Sequence, residues 1–209
     1  MARTTTTRTP TRKDGRRSKN GGGARAPAAA AARITEQTTV PESRSRVPAR
    51  LFPTKNDLPE STRVEVIPLL NQRLAECIDL QLQCKQAHWN VKGPSFIGLH
   101  KLFDEVYEAV EGYVDSIAER IVQLGGIAEG TVGAVEGRSA LVDYALTLAT
   151  GGEHVAALSD ALSGFARAAR VGIEEMQELK DADSADLLTE ISRGVDKWLW
   201  FVEAHQQAE

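Results

Sequence analysis

Cysteine is nearly missing from this chain: Cys77 and Cys84 are the two found in 209 residues. They lie seven positions apart in a segment that reads as helix, so their Cα atoms sit about 10 Å apart, beyond the ~7 Å limit for a disulfide. A disulfide scaffold is excluded, and both thiols are expected to be reduced and half-buried. Long hydrophobic runs are missing too. No apolar stretch reaches the ~18 residues of a membrane span, and no apolar core of a leader follows Met1, so a cytosolic protein without a membrane segment is expected. Large apolar side chains are almost lacking before Ile34, and that segment cannot bury enough surface to offset its ordering entropy.

Charge is divided between the two parts. Residues 1–50 carry 12 Lys+Arg against 3 Asp+Glu, or +9, and the remaining 159 carry 13 against 26, or −13. The overall −4 therefore hides a basic arm on an acidic body. The arm is Thr-rich from Thr4 to Thr11, basic from Arg12 to Lys19, then runs through Gly21–Gly23 and Ala28–Ala32. It is expected to be disordered over residues 1–55, with a folded domain over 56–209. A Thr- and Arg-rich, acid-poor start also suits an organellar transit peptide, and the mass of the mature chain separates the two readings.

From about Ser61 the apolar residues adopt helical spacing. A first helix should run to about Asn90 through Leu70, Leu74, Cys77, Ile78 and Leu82, with Pro68 tolerated in or near its first turn and Gly93-Pro94 stopping it. The second carries the clearest stripe: Phe96, Leu99, Phe103, Val106, Val110, Val114, Ile117, Ile121 and Leu124, closed by Gly125-Gly126. The next 27 residues, 126–152, are too long for a simple turn, and 140–149 suit a short helix. A third long helix should span about Glu153–Lys180, with Leu158, Leu162, Phe165, Ala169, Ile173, Met176 and Leu179 inward. A fourth, capped by Asp183 or Ser184, turns Leu188, Ile191, Val195, Trp198, Val202 and His205 inward. Four long helices without alternating strands predict an all-α four-helix bundle, and the long connection between the second and third predicts one crossover, as in ferritin-like topologies.

On the second helix, His100 with Asp104 and Asp115 with Glu119 are two pairs at i, i+4 spacing, each able to reach one ion. The pairs are 15 residues apart, about 22 Å along the axis, so one helix cannot bring both to the same metal. Two copies crossing antiparallel about a twofold axis can, and symmetry then gives two identical sites at a subunit interface. Imidazole plus carboxylates in an incomplete shell suits iron(II), with zinc and manganese chemically possible, and His88 is the natural further ligand. No Glu lies three before any of the four histidines, so the Glu-x-x-His pairs of single-bundle ferritin sites are missing.

The run Lys85-Gln86-Ala87-His88-Trp89-Asn90-Val91-Lys92-Gly93, then Phe96, His100, Asp104, Asp115-Ser116-Ile117-Ala118-Glu119-Arg120 and Leu124-Gly125-Gly126, resembles the family of DNA-binding proteins from starved cells (Dps), the mini-ferritins. Asp183-Ser184-Ala185-Asp186 and Asp196-Lys197-Trp198-Leu199-Trp200-Phe201 extend the likeness over about residues 60–206. What the resemblance implies is a dodecameric hollow shell, a ferroxidase that oxidises iron(II) with hydrogen peroxide or oxygen and stores the ferric product. His88, His100 and Asp104 would come from one subunit and Asp115 and Glu119 from its twofold mate, with Trp89 beside the dimetal site. The acidic set Glu178, Asp181, Asp183 and Asp186 would line iron-entry pores, toward which an acidic body focuses cations.

An acidic body repels DNA, which leaves the arm to hold it. Arg3, Arg8, Arg12, Lys13, Arg16, Arg17, Lys19 and Arg25 can neutralise phosphates of double-stranded DNA without reading sequence, and many arms per shell add avidity. The expected role is iron detoxification and DNA protection under oxidative stress, in the cytoplasm and at the nucleoid. The competing readings are a structural nucleoid protein with a vestigial or zinc-occupied site, and a ferroxidase that does not bind DNA.

Overall fold

Helix α1 (Glu60–Asn90) and helix α2 (Phe96–Gln123) form one antiparallel pair, and α4 (Gly151–Glu178) and α5 (Ala182–Glu203) form the other. A short α3 (Val132–Arg138) lies in the crossover and packs on α1. The structure, a computed structural model, describes residues 50–207. The basic arm through residue 49, with every candidate DNA contact on it, lies outside the described residues.

The hydrogen bonds at the two ends of the bundle fix the topology. Lys92, just after α1, donates to the Ala149 carbonyl at 3.1 Å and accepts from Gly151 N–H at 3.1 Å, so α4 begins at the end where α2 begins. At the opposite end Arg120, late in α2, meets Asp181, the cap of α5, at 2.7 Å. Helices α2 and α4 therefore run parallel, as a single crossover requires. Leu70, Leu74, Phe103, Ile117, Leu158, Phe165, Leu188 and Val195 are fully buried in one core between the two pairs.

The helix ends follow local chemistry. Gly125 sits at φ +86° where α2 stops, with Gly125 N–H to Val122 O and Gly126 N–H to Ile121 O closing the turn. A Cβ on Gly125 would lie 2.5 Å from the Phe52 carbonyl, so only glycine lets that strand of backbone pass. Thr150 and Glu153 form a capping box at the start of α4.

Several sequence expectations need correction. Pro68 lies well inside α1, the ninth residue of the helix, on its exposed face, where water can take the hydrogen bond that the Val64 carbonyl loses. The short crossover helix is Val132–Arg138 and not 140–149. Twelve helical residues rise only about 18 Å, whereas the chain must return along α2, whose 28 residues rise about 42 Å. Segment 139–150 accordingly runs without a helix, held by α1 side chains: Gln83 Nε2 donates to Val142 O at 3.1 Å and Ser139 Oγ to Asp79 at 2.5 Å. The cap of α5 is Asp181, which accepts from Ser184 N–H at 3.1 Å, rather than Asp183 or Ser184. Leu82, Phe96 and His205, expected inward, are exposed on this subunit. Residues 51–55, assigned to the arm, lie against the bundle, with Phe52 N–H bonded to Gly125 O at 2.7 Å.

Candidate metal centre

The short turn 91–95 between α1 and α2 folds the last turn of one helix onto the first turns of the other, and so brings His88 beside His100. Their rings stack with centroids 3.8 Å apart and planes 21° apart. Each ring bonds the other's backbone: His88 Nδ1 to the His100 carbonyl at 2.7 Å, and His100 Nδ1 to the His88 carbonyl at 2.8 Å. A carbonyl oxygen can only accept, so both Nδ1 atoms carry the hydrogen and both Nε2 atoms keep a free lone pair. This is how metal-binding imidazoles are oriented in proteins. Phe96 covers His100, centroid to centroid 5.1 Å.

Asp104 stands one turn beyond His100 and is ion-paired with Lys85, whose ammonium also lies 4.2 Å from the Tyr107 ring centre. Lys85, and more weakly the His88 imidazole 3.8 Å away, holds the Asp104 carboxyl below its ordinary value. Sequence reasoning passed over Lys85 as a site residue although it opens the Lys-Gln-Ala-His-Trp run; its signal was its place one turn before His88.

Asp115 and Glu119 are exposed near the far end of α2, where Ala118, Glu119, Val122, Gln123 and Ala128 line an open hollow. Among the described residues no three His, Cys, Asp or Glu side chains of one subunit come close enough to hold an ion. His88 adjoins both His100 and Asp104 without the three closing on one ion, and Asp115 and Glu119 lie apart from them. Trp89 follows His88 and is 67% exposed. The donor types within this subunit, two imidazole nitrogens and one carboxylate, suit iron(II) as a substrate.

The acidic set divides. Glu178, Asp183 and Asp186 are exposed, whereas Asp181 is buried against Arg120 and Ser184, with Arg120 Nε donating to Ser184 Oγ at 2.9 Å. Asp181 is a structural counterion and helix cap within its own subunit. His205 bonds the Phe201 carbonyl at 2.9 Å, and His154 is buried against Tyr144.

Comparison with known proteins agrees with this fold. The ferritin-like domain family model matches residues 67–208. A DNA protection during starvation protein of Agrobacterium fabrum is 44% identical over 154 residues, 74% of this chain and 95% of that protein. One of Mycolicibacterium smegmatis is 40% identical over 144 residues, 69% and 78%. Among solved structures, the tetragonal form of Mycobacterium smegmatis Dps superposes with a TM-score of 0.69 at 38% identity, covering 75% of this chain and 92% of that one. DpsA14 from Streptomyces coelicolor gives 0.69 at 35%, covering 74% and 93%. With the ferritin-like domain matched over most of its length and a bundle superposable on Dps structures, this chain belongs to the Dps family of ferritin-like proteins.

Proposed function

We propose that this chain is the subunit of a dodecameric shell that oxidises iron(II), stores the ferric product inside and binds DNA through its basic arm. The observation that carries the reading is the reciprocal His88–His100 lock, which fixes two Nε2 lone pairs before any ion arrives. Asp104 adds a carboxylate from the same subunit, and Asp115 and Glu119 of a twofold mate would complete the site. That the described residues of one subunit gather too few donors for an ion supports a shared site, and so do exposed apolar side chains on α1 and α2, among them Leu82, Phe96, Ile97 and Val122, which a second copy can cover.

In the reaction two iron(II) ions give their two electrons to one hydrogen peroxide, which with two protons becomes two waters. The chain's part is positional. The stacked imidazoles are held rigid by their Nδ1 bonds, which leaves each Nε2 for a metal, and Lys85 neutralises Asp104 until a cation displaces it. Iron, with zinc or manganese as possible substitutes, enters past Glu178, Asp183 and Asp186. Removing iron(II) and peroxide together suppresses hydroxyl radical formation, and shells held on DNA would do so at the nucleoid. No helix among the described residues is long and apolar enough to cross a membrane.

The test is the initial rate of iron(II) oxidation at limiting peroxide for wild type and for His100→Ala with Asp104→Ala, both confirmed as assembled by size exclusion. Collapse of the rate in the assembled variant supports the site. An unchanged rate overturns the ligand assignment and favours a structural nucleoid protein. For DNA, a chain starting at Leu51 should lose the salt-sensitive gel shift of the full-length protein. Equal binding by both removes the arm's role.

A further inference from the structure

Tyr144, in the non-helical part of the crossover, and His154, in the first turn of α4, form a pair that neither the bundle nor the metal centre accounts for. The phenol oxygen lies 2.6 Å from His154 Nδ1, and the rings are nearly parallel, 19° apart with centroids 6.0 Å apart. His154 is 1% exposed and its Nε2 makes no hydrogen bond, although the carbonyls of Asn90 and Leu148 lie beside the ring. Asn90 stands two residues after His88, about 3 Å along the axis of α1. The Lys92–Gly151 and Lys92–Ala149 backbone bonds hold α4's start against that point.

We propose that Tyr144 and His154 are a redox pair that gives one electron when peroxide meets a site holding a single iron(II), the phenolic proton passing to His154 Nδ1 as the electron leaves. The inference rests on the ferroxidase reading above. With two iron(II) ions present, iron supplies both electrons that peroxide needs. With one, Fe²⁺ + H₂O₂ + 2 H⁺ and the neutral pair yield Fe³⁺ + 2 H₂O, a tyrosyl radical and protonated His154, in place of a free hydroxyl radical. A second iron(II) then reduces the radical, the proton returns from Nδ1 to the phenol, and the sum is the ordinary two-iron reaction.

The surroundings suit this. Burial holds His154 below its ordinary value, so the ring is neutral, and with its hydrogen on Nε2 it presents Nδ1 as the acceptor for the Tyr144 O–H. Burial also pushes the phenol up, so it keeps its proton until it is oxidised. The neighbouring Cys84 thiol, pushed up to about 12 by burial, stays neutral and does not compete as a base.

The experiment uses the assembled full-length protein, loaded with one iron(II) per two sites, mixed with excess peroxide and freeze-quenched for electron paramagnetic resonance. A neutral tyrosyl signal that narrows with ring-deuterated tyrosine is expected. It should fall at least tenfold in Tyr144→Phe, fall in His154→Gln, and persist in Trp89→Phe, while hydroxyl spin-adduct yield rises in Tyr144→Phe. A wild type that oxidises iron with peroxide yet gives no tyrosyl radical overturns the proposal alone, as does an undiminished signal in Tyr144→Phe or one lost only in Trp89→Phe. A wild type in which peroxide drives no iron oxidation overturns the ferroxidase reading and this proposal together.

Discussion

Replacing Arg120 with Met should destabilise the bundle from its far end. Arg120 joins α2 to the α4–α5 corner by two bonds, Nη2 to Asp181 Oδ1 at 2.7 Å and Nε to Ser184 Oγ at 2.9 Å. The Asp181 side chain is 1% exposed and that of Arg120 9%, so the pair is desolvated from both sides. In Arg120→Met the carboxylate keeps the Ser184 N–H and hydroxyl but loses its counter-charge while still buried. Removing one partner of such a pair costs about 3–5 kcal/mol. At about 2–4 °C per kcal/mol for a domain of this size, that is a fall in Tm of about 6–20 °C. Scanning calorimetry at matched protomer concentration measures it, since assembly makes Tm depend on concentration. Adding Asp181→Asn removes the buried charge and keeps a good cap, so the double variant should regain more than about 1 kcal/mol over Arg120→Met alone. A single variant within about 1 kcal/mol of wild type, or a double variant no better than the single, would refute the reasoning.

The other expectations concern neighbouring features. Lys85→Met frees Asp104 from an ion pair that is partly exposed on both sides, worth about 0.2–1 kcal/mol; zinc, which is redox-inert, should bind up to about fivefold tighter by titration calorimetry, and weaker binding would make Lys85 a support of the site instead. The depressed His154 binds fewer protons folded than unfolded, so its contribution is complete above the unfolded value near 6.5 and is lost as pH falls below it; wild type should lose more stability between pH 7 and 5 than His154→Gln, and parallel losses would exclude the effect. Lys180 takes φ +62° where α4 ends, a conformation that costs a non-glycine residue about 1–2 kcal/mol, so Lys180→Gly should raise Tm by about 1–4 °C after glycine's own entropy is subtracted. In Gly194→Ala the added Cβ would stand 1.9 Å from the Tyr113 hydroxyl, and a loss of about 1–3 kcal/mol should appear as an earlier denaturation midpoint; no loss would mean that Tyr113 swings away.

Much of this was legible along the chain because helices write their register into it. The stripe from Leu99 to Leu124 and the glycines that close it locate α2, and the i, i+4 spacing of His100 with Asp104 places both on one helical face. The length of the second connection gave the single crossover. Misreadings arose where a residue answers to something distant. Pro68 is harmless inside α1 because that face meets water, and the crossover helix sits at Val132–Arg138 because the next twelve residues must cover distance rather than bury a face. Leu82 and Phe96 look like core by periodicity, but a helix of this length has apolar positions beyond those its own bundle covers.

The sequence by itself determined four amphipathic helices, their order and the donor types of the candidate site, since those depend on spacing within one helix. Tertiary structure decided the rest. Only the turn at residues 91–95 lets each histidine bond the other's carbonyl and so sets both tautomers, and only packing buries Asp181 against Arg120 while Asp183 and Asp186 stay in water. The Tyr144–His154 contact joins an irregular crossover to a helix, and no periodicity announces it. Spacing fixes what one element presents, and the approach of separate elements fixes what each side chain meets.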